Sequence, residues 1–165
     1  MKGGRLRNRD RYLEEAMLFR DTDLIKVITG VRRCGKSSLL DLIRMDIESE
    51  GVAGRGFVSV NLESKGTGIK TEDQLYDYVR GRLSDKGRTY VFIDEPQRID
   101  GWQDAVNAMR IDFDCDIYLT GSNAYLLSSE LATYLSGRYV EVKMLPLSFS
   151  EFADFCGIEF VSGTS

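Results

Sequence analysis

Short apolar runs of four to six residues alternate along the chain with segments whose apolar positions recur every three or four residues. Leu24–Thr29, Phe57–Leu62, Tyr90–Ile93, Asp116–Thr120 and Tyr139–Met144 are the short runs, rich in β-branched and aromatic side chains, and they predict five strands. Between them lie helical spacings. Tyr12, Leu13, Ala16 and Met17 share a face within Arg9–Phe19, and Leu39, Leu40, Leu42, Ile43 and Ile47 share another, with Gly51 as a stop. Leu75, Tyr78, Val79 and Leu83 continue a helix opened by the capping box Thr71-Glu72-Asp73-Gln74. Trp102, Ala105, Val106 and Met109 mark a short helix with Asp100 as its expected cap, and Trp102 is read as core. A helix over 124–135 precedes the last strand, and Ser148-Phe149-Ser150-Glu151 is a second capping box. This alternation predicts an α/β fold, a three-layer sandwich around a mainly parallel five-stranded sheet. The expected organisation is a flexible basic arm at 1–8, a core at 9–160 and a disordered tail at 161–165.

The first strand runs into Gly30-Val31-Arg32-Arg33-Cys34-Gly35-Lys36-Ser37, which matches G-x-x-x-x-G-K-[ST], the P-loop that wraps nucleotide phosphates. The strand before it and the helix after it supply the context that the motif requires. Gly30 and Gly35 are expected to take backbone angles that a side chain forbids, turning the amides of residues 30–38, Ser38 included, inward as an anion nest. Lys36 would lie between the β- and γ-phosphates, Ser37 would ligate Mg²⁺, and the helix dipole would add positive potential.

A second group of residues follows the third strand. Tyr90–Ile93 runs straight into Asp94-Glu95. Acids belong in such a strand only where it emerges at the sheet's edge. Asp94 is expected to hold Mg²⁺ and Glu95 to polarise the attacking water as general base. The Asp-Glu pair favours hydrolysis over transfer to an acceptor, and no Asn-Lys-x-Asp string is present to read guanine. At the end of the fourth strand stand Thr120, Ser122 and Asn123, of which Ser122 or Asn123 is expected to sense the γ-phosphate. Arg138, after Gly137, is a candidate for stabilising transition-state charge, from within the chain or from a neighbour. Arg32 and Arg33 could pair with carboxylates or reach a partner. A Cys34 thiol in the nest would feel Lys36 and the helix terminus, so that its oxidation would block nucleotide binding.

Composition narrows the classes. The chain has 165 residues, 26 acidic against 22 basic, which gives no general support for nucleic-acid binding. Lys2, Arg5, Arg7, Arg9 and Arg11 form a local basic cluster, read as a solvated arm. With no histidine at all, His-dependent triads and His metal sites are excluded. Three scattered cysteines show no metal spacing, and no run reaches membrane-spanning length; a reducing cytoplasm is the expected setting.

The run from Ile28 to Ser37, then Phe92-Ile93-Asp94-Glu95, Leu119-Thr120-Gly121-Ser122, Ser136-Gly137-Arg138 and Leu145-Pro146-Leu147-Ser148-Phe149-Ser150-Glu151-Phe152 resemble the prokaryotic AAA-domain ATPases that carry a carboxy-terminal domain of unknown function. The resemblance covers about Arg9 to Phe155. It implies an AAA+-type sheet, ATP/ADP and Mg²⁺ as ligands, Gly137-Arg138 as a family signature, and a chain that is the ATPase core of a longer protein. Hydrolysis would then drive a conformational change in the absent carboxy-terminal domain, and assembly with further copies of the chain is compatible with it. An ATP-dependent switch that does not hydrolyse, and a P-loop small-molecule kinase, are the alternative readings.

Overall fold

The computed structural model describes residues 7–52, 56–122 and 133–148, together with Glu151, Ala153, Cys156 and Gly157. Its elements are α1 (Arg7–Met17), β1 (Ile25–Thr29), α2 (Lys36–Ser49), β2 (Phe57–Asn61), α3 (Glu72–Arg80), β3 (Thr89–Asp94), α4 (Trp102–Asp112), β4 (Cys115–Gly121) and β5 (Tyr139–Lys143). The strands lie in the order β2-β3-β4-β1-β5, and all four pairings are parallel. The expected "mainly parallel" sheet is therefore parallel throughout.

Parallel strands buried on both faces read as continuous apolar runs, and β1, β3 and nearly all of β4 are buried at every position. One face of the sheet, with Val27, Val60, Val91, Ile93, Ile117 and Leu119, packs on α3 and α4 through Leu75, Val79, Trp102, Val106 and Met109. Trp102 is core, as expected. The other face, with Ile28, Phe92, Tyr118 and Val142, packs on α2 through Leu39, Ile43 and Ile47 and on α1 through Ala16. This is the three-layer arrangement.

Local chemistry explains the element ends. Thr71 accepts from the Gln74 N–H while the Gln74 side chain accepts from the Thr71 N–H, so α3 opens on its predicted capping box. Ser148 and Glu151 exchange the same pair of bonds, at 2.6 and 3.3 Å. Asp100 does not cap α4: the position falls to Gly101, at φ 76° with no side-chain cap, where a Cβ would meet the Glu72 carboxylate. Helix α1 starts at Arg7 and ends at Met17, two residues earlier at each end than its apolar spacing indicates. Tyr12, at the edge of the core, accepts a hydrogen bond from the Leu145 N–H at 3.1 Å and so ties α1 to the chain after β5. Most of the helix expected at 124–135 lies outside the described residues.

The amino-terminal edge of the sheet carries a charge that the apolar pattern does not announce. Lys26, in the middle of β1, is fully buried and pairs with the equally buried Asp116 of β4. Asp116 also accepts from the Tyr118 hydroxyl at 3.0 Å and from the Asp21 N–H at 2.9 Å. Burial pulls the Lys26 ammonium below its usual range against the opposing pull of Asp116, and burial pushes the Tyr118 hydroxyl up. Such a pair is costly to break from one side only, since the remaining charge is stranded. Lys26→Met should lower the unfolding free energy by about 3–5 kcal/mol, and adding Asp116→Asn should restore a large part of it. Urea denaturation of the two variants beside the parent checks this; equal stability of Lys26→Met and parent would mean that the pair holds nothing.

Candidate nucleotide-binding site

Parallel alignment brings every strand's carboxyl end to one edge, and the loops leaving β1, β2, β3 and β4 meet there. Arg32, Arg33, Gly35, Lys36, Ser37 and Ser38 line a cleft of about 720 Å³, joined by Glu63 from the loop after β2, Glu95, Gln97 and Arg98 from the turn after β3, and Ser122 after β4.

The loop after β1 has the build of an anion nest. Gly35 stands at φ 95° as the cap of α2, with no side chain satisfying the first amides of the helix and no acid in its first turn. Those donors and the positive helix end therefore face the cleft. Arg33 also takes a left-handed angle, φ 66°. Gly30 does not: its φ is not positive, and what requires glycine there is space. A Cβ at Gly30 would lie 2.5 Å from Cys34 Sγ and 2.8 Å from the Met144 carbonyl oxygen. The Lys36 ammonium is folded over the loop, donating to the carbonyls of Gly30 and Val31 at 3.1 and 3.0 Å.

Below the loop, hydroxyls organise the acids. Ser37 Oγ donates to Asp94 Oδ2 at 2.6 Å. Thr120 donates to Asp94 Oδ1 and accepts from the Glu95 N–H at 3.3 Å. The register explains this, because Thr120 of β4 is level with Asp94 of β3 on one side and Ile28 of β1 on the other. Thr120, rather than Ser122, therefore touches the acids; Ser122 lines the cleft and Asn123 lies outside the described residues. The sequence carried a signal for Thr120: it is the first polar residue after the apolar run of β4, as Asp94 is after that of β3. Glu95 occupies the left-handed region, φ 60° and ψ 52°. A non-glycine residue held there costs on the order of 1–3 kcal/mol, and such strain clusters at functional positions.

Ser37 and Asp94 are hard oxygen donors at the rim of a smaller hollow of about 330 Å³ adjoining the cleft. Such a set fits Mg²⁺, which takes one or two protein oxygens and completes its shell with phosphate and water. Among the described residues no group of three or more His, Cys, Asp or Glu side chains could hold a metal by itself.

One open alternative is decided here and one expectation is corrected. Arg138 precedes β5 at the amino-terminal edge, where its carbonyl accepts from the Ile25 N–H and its guanidinium bonds Asn107 at 3.2 Å. The five residues of β1, at about 3.3 Å each, separate it from the P-loop, so the chain does not bring Arg138 into its own site. The Cys34 thiol is buried in the core cluster that includes Ile28, Leu39 and Met144; its Sγ lies close to Gly30, and Cys34 is not among the residues that line the cleft. Arg32 pairs instead with Glu63 at 3.5 Å, and Arg98 takes the same carboxylate oxygen at 3.2 Å.

The AAA domain family model matches residues 22–153. This chain belongs to the AAA domain family. The match takes in the P-loop, the Asp94-Glu95 strand and Thr120, and supports a function of the nucleotide-binding ATPase type. The chain is 47% identical over 147 residues to an uncharacterized protein of Haemophilus influenzae, covering 88% of this chain and 37% of that protein. It is 36% identical over 132 residues to the uncharacterized protein MJ1544 of Methanocaldococcus jannaschii, covering 79% of this chain and 28% of the other. The chain thus spans about a third of the length of these curated relatives. A solved structure of the Aeropyrum pernix ORC2 protein in ADPNP–ADP complexes shares its fold, with a TM-score of 0.56 at 10% identity over 96% of this chain and 52% of that one. No helix among the described residues is long and apolar enough to cross a membrane.

Thiol reactivity should follow the burial. Cys34 is buried and Cys156 exposed, and burial pushes the Cys115 thiol up to about 12, so it carries almost no thiolate at pH 8. Alkylation of the native protein at pH 8, mapped by mass spectrometry, should mark Cys156 first and reach Cys34 and Cys115 only on unfolding. Rapid native labelling of Cys34 would contradict its placement in the core.

Proposed function

We propose that the chain is an ATP-binding, Mg²⁺-dependent ATPase core whose hydrolysis drives a conformational change in a further carboxy-terminal domain or a partner. The observation that carries this reading is the convergence of Lys36, Ser37, Asp94, Thr120 and Glu95 at one sheet edge, joined by the Ser37–Asp94–Thr120 hydrogen bonds.

In this reading the phosphates enter the nest of amides from Gly30 to Ser38, and the Lys36 ammonium exchanges the Gly30 and Val31 carbonyls for β- and γ-phosphate oxygens. Carbonyl oxygens already hold the ammonium, so the exchange replaces neutral acceptors with charged ones, which bind it more strongly. Ser37 and Asp94 would hold Mg²⁺, which when bound supplies charge neutralisation to the phosphates. Glu95 takes the proton of the attacking water, and Thr120 keeps Asp94 and the Glu95 backbone in register. Ser122, which lines the cleft, would take the γ-phosphate sensing role. Arg138 can supply charge only to a neighbouring copy, which makes a homo-oligomer the arrangement in which it would act.

Binding and phosphate release with ATP and Mg²⁺ test this, with the chain measured beside Lys36→Ala and Glu95→Gln. Lys36→Ala should weaken ATP binding by about 100-fold. Glu95→Gln should keep binding and slow turnover by about 10²–10⁴-fold. Binding without turnover in the parent would make it a switch, and phosphate delivered only to an added acceptor would make it a kinase.

A further inference from the structure

Gln97 stands two residues beyond Glu95, on the short 3-10 turn Pro96–Arg98 that closes the cleft. Its side-chain nitrogen donates to Glu95 Oε2. A carboxylate accepts only, so the amide must turn its nitrogen toward Glu95 and its oxygen away. That oxygen, Gln97 Oε1, is buried and has no hydrogen-bond partner among the described residues. Buried acceptors are rarely left unpaired, and this one belongs to a side chain on the wall of the cleft, beside the proposed general base.

We infer that Gln97 is a positioning residue for the attacking water, an inference that rests on the hydrolytic reading above. Its amide nitrogen holds Oε2 of Glu95, which leaves Oε1 of Glu95 to take a proton. Its own Oε1 is closed to water, so the side chain acts on the water only through Glu95. A carboxylate held at one oxygen fixes the O–H direction of the water on its other oxygen and so aims the water's lone pair at the γ-phosphorus. In the step itself the water oxygen bonds to the γ-phosphorus, and the bond from that phosphorus to the β,γ-bridging oxygen breaks. Its electron pair leaves with ADP. One water proton passes to Glu95, the other stays on the new phosphate, and Glu95 later returns its proton to phosphate or solvent.

The left-handed turn at Glu95 fits this task. It folds the chain back at once after β3, so that a residue only two positions on can reach the Glu95 carboxylate. Arg98, next on the turn, is drawn to Glu63 instead, which leaves Gln97 as the neutral partner of Glu95. A neutral partner holds the carboxylate in place without the charge neutralisation that would weaken it as a base.

The test compares the parent with Gln97→Leu and Glu95→Gln, reading affinity for ADP, affinity for ADP with aluminium fluoride and Mg²⁺ as a mimic of the transition state, turnover, and melting temperature. Gln97→Leu should keep ADP affinity within about threefold and the melting temperature near the parent's. Its affinity for the aluminium fluoride complex and its turnover should each fall about 10- to 100-fold. Turnover and aluminium fluoride affinity equal to the parent's would overturn the assignment, as would a matching loss of ADP affinity, which marks a purely structural role. Loss of turnover in Glu95→Gln with none in Gln97→Leu would remove this inference alone, full turnover in Glu95→Gln would remove Glu95 as general base and the inference with it, and a parent that releases no phosphate would remove the hydrolytic reading and the inference together. Aluminium fluoride binding needs no turnover, so it decides the point even for a slowly hydrolysing chain.

Discussion

Asp94 accepts a hydroxyl proton on each of its oxygens, from Ser37 at the start of α2 and from Thr120 at the end of β4. That double contact ties the phosphate loop to the acid-bearing strand across an intervening one. It is possible because β3, β4 and β1 run parallel and level, with Asp94, Thr120 and Ile28 in register. If any of the three strands slipped by one residue, its side chains would change faces and the contact would be lost. The apolar runs that bury both sheet faces therefore also set the geometry of the site, because they admit only one register.

The two edges of the sheet handle charge in opposite ways. At the amino-terminal edge Lys26 and Asp116 are fully buried, fully partnered and backed by Tyr118, Tyr90 and Asp21. Arg20 and Arg88 close the outside of that network with Glu50 and Asp114. Such a network can pin the turn after α1 to the sheet but offers nothing to a ligand. At the carboxyl edge the charges face an open cleft. Arg32 and Arg98 share one exposed carboxylate, Glu63, and Lys36 is met by carbonyls alone. Exposed pairs of this kind are weak and readily give way to a polyphosphate. Stability lies at one edge and chemistry at the other.

Within the cleft, strain and unpaired polarity coincide on one turn. Glu95 is held at a left-handed angle and Gln97 buries an acceptor without a partner among the described residues, two local costs within three residues. In the proposed reading their proximity to the P-loop supplies a reason for both, since a site built to bind an ionic transition state keeps groups aimed at an absent charge.

Much of this was legible in the chain before it folded. Strand positions, the P-loop, the Asp94-Glu95 pair and both capping boxes are local facts: each depends on a run, a spacing or a cap that neighbouring residues decide, and the fold kept them. Tertiary structure decided what depends on which strands are neighbours. Thr120 rather than Ser122 meets Asp94, because β4 lies between β1 and β3. Arg138, adjacent in sequence to a strand that borders β1, ends at the edge away from the site, because a parallel crossover returns the chain there before the strand begins. Lys26 disappears into the sheet because Asp116, 90 residues away, is the counter-charge that makes its burial tolerable. Glycine at position 30 answers to Cys34 and Met144 rather than to its own backbone angle. The sequence by itself determined the elements and the chemistry of its motifs, which are short-range matters of sterics and periodicity; register and strand order, which no local pattern carries, decided which side chains meet.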